Sequence, residues 1–115
     1  MNLDEFGKTL IQETRDRTIR LVDKKICGKM KDAESQLLFD KIQQLNNPKA
    51  EQIIKDLVPM VTDLCIHNIL CMVEDSDDIS ILYDGEDISE TSDGLAGELY
   101  TEDGWIEKYS SQRLK

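Results

Sequence analysis

The sequence predicts a mainly α fold: a helical bundle of three long segments around a central apolar helix, completed by a short hairpin or turn and one or two short C-terminal helices. Two observations predict the helical body. Apolar residues recur at helical spacing through residues 3–27, 32–45 and 53–73. Helix punctuation stands between these runs: Gly28, Asp32, and the triplet Asn46, Asn47, Pro48. A third observation marks the change after Val73, where apolar residues give way to acids and turn residues.

The first segment opens with Asn2, a capping residue, followed by Asp4 and Glu5, which suit the positive end of a helix. Its apolar residues are Leu3, Phe6, Leu10 and Ile11, then Ile19, Leu21, Val22 and Ile26. The gap from Gln12 to Thr18 is polar and reads as a solvated middle of one long helix. Lys24 and Lys25 complement the C-terminal end, and Gly28 suits a C-cap. The second segment starts at Asp32 and carries Leu37, Leu38, Ile42 and Leu45. Asn47 can cap the third, with Pro48 at its first position.

The third segment is the most apolar: Ile53, Ile54, Leu57, Met60, Val61, Leu64, Cys65, Ile69, Leu70, Met72 and Val73. A helix apolar on most sides is expected at the centre of the fold, with residues 57–73 as the core element. Pro59 is expected to kink or split it near Val58. Beyond it, Ile79, Ile81 and Tyr83 alternate with Ser80 and Leu82 ahead of Asp84–Gly85, which signals a short hairpin, with a helical turn as the alternative. Leu95, Leu99 and Tyr100 suggest one short helix. Trp105, Ile106 and Tyr109 suggest another, capped near Asp103.

At 115 residues the chain is expected to be one domain able to bury a core without disulfides or metals. The odd set Cys27, Cys65 and Cys71 fits a reducing compartment, as buried free thiols. No apolar run of about 18 residues signals a membrane span, and residues 1–20 are charged throughout, unlike a secretory signal. The expected location is cytoplasmic.

The net charge of −10 opposes nucleic acid and anionic membrane as partners. It is also unevenly placed. Residues 1–73 carry 11 basic and 11 acidic side chains, whereas residues 74–115 carry 13 acidic and 3 basic. The acidic third also holds Tyr83, Tyr100, Tyr109 and the single Trp105. Carboxylates steer encounter with a basic partner, and aromatics supply anchor area. The expected binding face is therefore Asp77, Asp78, Tyr83, Asp84, Glu86, Asp87, Glu90, Asp93, Tyr100 and Trp105. The alternative for the aromatics is a core role for Trp105, Ile106 and Tyr109, which would tie the tail to the bundle.

Arg15, Arg17, Arg20, Lys24 and Lys25 form a basic stretch diluted by Asp16 and Asp23. It reads as a solvated face or as a match for the acidic third, where exposed pairs would add only about 0–1 kcal/mol each.

No motif for catalysis stands out. An EF-hand loop needs glycine at its sixth position, but frames from Asp75 and Asp84 place Ser80 and Ser89 there. His67 and Cys71 share a helix face, yet a closed zinc site needs four ligands. A nucleophile would have only His67 as an imidazole base, and no nucleophile elbow, P-loop or dinucleotide fingerprint occurs. The expectation is a non-enzymatic protein-binding module with no metal or cofactor; the alternative is a structural or regulatory helical homo-oligomer.

In size, acidity and lack of catalytic motifs the whole chain resembles the small acidic immunity proteins that bacteria make against toxins. That resemblance rests on general character and on no motif. It implies a basic toxin as the partner of the acidic third.

Overall fold

A computed structural model describes residues 2–112. It is mainly helical, with one small two-stranded sheet. The first helical run is continuous in three parts: α1 (Asn2–Leu10), a π-helical stretch (Ile11–Asp16) and α2 (Arg17–Ile26). Asn2 is the first helical residue rather than a cap, and its Nδ2 donates to Glu86 Oε2 at 2.8 Å. The run ends as the sequence indicates. Gly28 takes φ +78°, and Lys29 N donates to Lys24 O at 2.9 Å, which satisfies a terminal carbonyl.

The next two helices also begin where their caps stand. Helix α3 (Ala33–Leu45) is capped by Asp32, whose carboxylate accepts from Ser35 N at 3.1 Å. It stops at Asn46 in the left-handed region. Helix α4 (Pro48–Asp75) is capped by Asn47, whose side chain accepts from Lys49 N and Ala50 N. Pro59 lies inside α4 without splitting it, so the expected break near Val58 is absent. One turn on, Thr62 Oγ1 donates to the carbonyl of Val58 at 2.7 Å.

After α4 comes the hairpin that the Asp84–Gly85 turn predicts. Strands β1 (Leu82–Tyr83) and β2 (Glu86–Asp87) pair antiparallel, with Tyr83 opposite Glu86. Both turn residues have positive φ, 51° and 81°. Helix α5 (Ile88–Thr91), a 3-10 turn (Ala96–Leu99) and α6 (Trp105–Tyr109) complete the chain. Helix α6 starts from Gly104 with no side-chain cap, so Asp103 is not the capping residue.

The core sits at one end. Ile11, Ile66, Leu70, Val73, Leu95, Ala96, Leu99 and Trp105 are buried together, with Leu3, Phe6, Leu10 and Ile106 packed around them. Trp105 is 1% exposed and meets Phe6 edge-on, ring centroids 5.8 Å apart. It lies flat on α1 only because residue 7 is glycine: a Cβ there would fall 2.3 Å from the indole. The tail aromatics thus include a core residue, and Trp105 is corrected from binding anchor to core.

The polar middle of the first run is also corrected. Arg15 and Asp16 are buried, not solvated. A π-helix spaces its bonds i to i+5, which brings Ile11 and Asp16 one turn apart on the inward face. Arg15 Nε donates to Asp63 Oδ1 at 2.5 Å, and its Nη1 donates to Ser110 Oγ at 2.6 Å and to the carbonyl of Gln112. Asp16 accepts from Ser110 Oγ at 2.7 Å and from Ser111 N at 2.8 Å. The basic stretch therefore supplies Arg15 to Asp63 of α4, while Arg17 and Arg20 stay exposed.

Candidate functional site

Helix α4 is not the buried centre that its composition suggests. Its inward side carries Pro59, Ile66, Leu70 and Val73. Its outward side carries Ile53, Leu57, Met60, Val61, Leu64, Ile69 and Met72, each at least half exposed, and Cys65 is exposed beside them. Ile53, Leu57, Met60 and Leu64 are spaced four, three and four apart, so they form one continuous seam. Between Leu57 and Val73 the only charged side chain is Asp63, which is engaged by Arg15.

The reason is a shortage of cover. Helix α2 packs against both α3 and α4, and α3 leans on α2 rather than closing over α4. Between them runs an apolar groove of about 340 Å³ lined mainly by Val22, Ile26, Leu38, Ile54, Val58 and Val61. On α3, Leu37, Leu38 and Leu45 are exposed as well. The molecule is correspondingly long, 49 × 29 × 21 Å, with a radius of gyration of 16.7 Å against about 13 Å for a compact chain of this length.

The length and composition of α4 also suffice to cross a membrane. The absence of an uninterrupted apolar run thus did not exclude such a helix. At its middle, however, Asp63 is tied into the Arg15 network.

The acidic third is divided by the fold. Asp77, Asp87 and Glu90 come together with Glu74, Ile79 and Ser89 around a polar depression of about 240 Å³. Asp78 is exposed in the turn after α4, Asp84 occupies the hairpin turn, and Asp93 is exposed beyond α5; none of the three lines that depression. Several acids have local work. Glu86 accepts from Asn2 and from Thr91 Oγ1 at 3.0 Å. Asp87 caps α5 by accepting from Ser89 N at 3.0 Å and from the Ser89 hydroxyl. Glu74 Oε1 accepts from Ala96 N at 3.1 Å. Tyr83 is half-buried against Phe6, ring centroids 6.1 Å apart. Among the described residues, no three His, Cys, Asp or Glu side chains are grouped to hold a metal ion.

His67 and Cys71 do meet: Sγ lies 3.4 Å from Nε2. Tyr100 leans on the imidazole at 5.6 Å, and its hydroxyl reaches the carbonyl of Asp63 at 3.5 Å. Loss of water around Tyr100, with Asp63 and Cys71 nearby, raises its phenol above the ordinary value. A thiol–imidazole nucleophile needs a group that orients the imidazole. Here Nδ1 of His67 is buried with no hydrogen-bond partner among the described residues, so the contact lacks that third member there. The cysteines are all free, and Cys27 and Cys65 are exposed rather than buried.

Sequence reasoning missed the α4 face because it assumed the helix would find enough neighbours. The available signal was arithmetic of cover: a helix apolar on nearly every side needs helices on every side, and the chain supplies few. No family model, curated protein or solved structure matches this chain.

Proposed function

We propose that this protein is a non-enzymatic protein-binding module whose principal docking surface is the apolar face of α4, with the apolar surface of another helix as its occupant. The observation that carries this reading is the unbroken exposed seam from Ile53 to Leu64, continued by Met72. Exposed apolar area of this extent is what helix-docking surfaces display. Replacing Leu57 and Leu64 together by Glu tests it, with dye binding reporting a free face and mass reporting an occupied one. The double variant should keep its fold and lose one or the other; if both readouts match the parent chain, the face is not a docking surface.

A second reading is favoured by the depression at Asp77, Asp87 and Glu90. Its polar walls and four carboxylates, counting Glu74, suit a lysine or arginine side chain of a basic protein. An immunity-type inhibitor of a basic toxin is the concrete form of this reading. Reversing Asp77 and Glu90 to Lys should abolish salt-sensitive binding of a lysine-rich polypeptide. Undiminished binding counts against it.

A further inference from the structure

We propose that the occupant of the α4 face is a second copy of this chain, packed antiparallel, so that two α4 helices lie against each other about a two-fold axis near Val61 and Leu64. This rests on the reading of α4 as a helix-docking surface and names its partner.

The first support is area. The chain exposes 7742 Å², whereas a compact monomer of its 13.2 kDa exposes about 6,400 Å². The excess, on the order of 1,300 Å², exceeds the roughly 800 Å² that each partner contributes to a standard stable interface.

The second support is charge, and it selects both the partner and its direction. At the N-terminal end of α4 stand the end of α2, where Ile26 shares a groove with Ile54, and the C-terminal end of α3, which joins α4 through Asn46 and Asn47. Residues 24–55 there hold seven basic and four acidic side chains. At the C-terminal end, residues 74–93 hold nine acidic side chains and no basic one. The two ends are separated by the full length of α4, about 42 Å for its 28 residues. Parallel packing sets acidic end on acidic end. Antiparallel packing sets the basic end of each copy on the acidic end of the other, with exposed Lys49 approaching the other copy's Asp75 and Asp77. Between Leu57 and Val73 the one charged side chain is Asp63, which Arg15 engages, so no charge opposes the pairing there.

The third support is that the seam is self-complementary in this direction. An isologous contact requires that if residue i meets j, then j meets i. Centring the pair between Thr62 and Asp63 sets Ile53 against Met72, Leu57 against Asn68, Met60 against Cys65 and Val61 against Leu64. All eight are exposed.

Mass and orientation test this on the full chain. At about 100 µM the parent chain should have the mass of a dimer, and Leu64→Glu should raise the dissociation constant at least about 100-fold. Leu64 is 57% exposed, so this substitution leaves the monomer's own core intact. Orientation is read in a C27S, C65S, C71A background. Ile53→Cys mixed with Met72→Cys should give a mixed disulfide, while neither variant should crosslink to itself. Self-crosslinking of Ile53→Cys alone overturns the antiparallel arrangement. A monomeric parent chain overturns the second copy as partner. If that monomer binds a hydrophobic dye that Leu57→Glu with Leu64→Glu abolishes, the docking reading survives with another protein as occupant. If the dye does not distinguish them, both readings fall. A monomer that sediments with neutral phosphatidylcholine vesicles overturns the inference in favour of a lipid surface.

Discussion

The two ends of the molecule solve the same problem differently. At one end, α1, the C-terminal half of α4, the 3-10 turn and α6 enclose Trp105, Ile11, Leu70 and Leu99. At the other, α2, α3 and the N-terminal half of α4 leave Leu38, Ile53, Leu57 and Val61 facing a groove or solvent. Both ends are rich in aliphatic side chains, so composition does not separate them. What separates them is the tail: residues beyond α4 fold back over one end only. The closed end has a core of its own and the open end a groove, while the exposed face of α4 runs along both, from Ile53 to Met72.

The largest expected break in this contrast is Trp105→Ala. It removes the residue that joins α6 to α1 and should cost about 3–5 kcal/mol in denaturant unfolding. Asp16→Ala follows. It strips the partner from Arg15 and from the Ser110 and Ser111 donors, leaving a buried cation short of one carboxylate. Removing one member of such a buried set costs about 3 kcal/mol, and the tail should then exchange its amide protons faster.

A matched pair on one helix sharpens the comparison. Leu70, 1% exposed, and Leu57, 51% exposed, are the same side chain on opposite sides of α4. Leu70→Ala should cost about 2–5 kcal/mol, whereas Leu57→Ala should change the stability of the dilute monomer by no more than about 0.5 kcal/mol. Equal effects would show that the two ends are packed alike.

The smallest effect concerns pH at the open end. Hydrogen bonds from the Ser35 hydroxyl and amide hold the Asp32 carboxyl below its ordinary value. The folded form therefore gains from ionised Asp32 above the ordinary carboxylate value, and that gain disappears as pH falls through the lowered one. Amide exchange at Ser35 should quicken in acid, while Asp32→Asn, which caps without titrating, should flatten the dependence.

Local punctuation was legible. Gly28, Asp32, Asn46, Asn47, Pro48 and the Asp84–Gly85 turn each act through bonds or dihedral angles set within a few residues, and each stands where the sequence puts it. Placement relative to water was less legible. The polar run around Arg15 looked solvated, yet Asp63 and Ser110 lie 48 and 95 residues away in sequence, and only their arrival makes burial of Arg15 tolerable. Of the acidic third, charge was readable; which acids share a depression was not, because α4, β2 and α5 bring those walls together.

The sequence by itself determined where helices start and stop, where the hairpin turns and where the charge lies, because caps, turns and charges act over a few bonds or follow directly from composition. Tertiary structure alone decided which apolar side chains leave water. A helix pattern states that a face needs cover, but cover comes from distant segments. Here the tail reaches one end of α4 and not the other, where α2 covers one side of the helix.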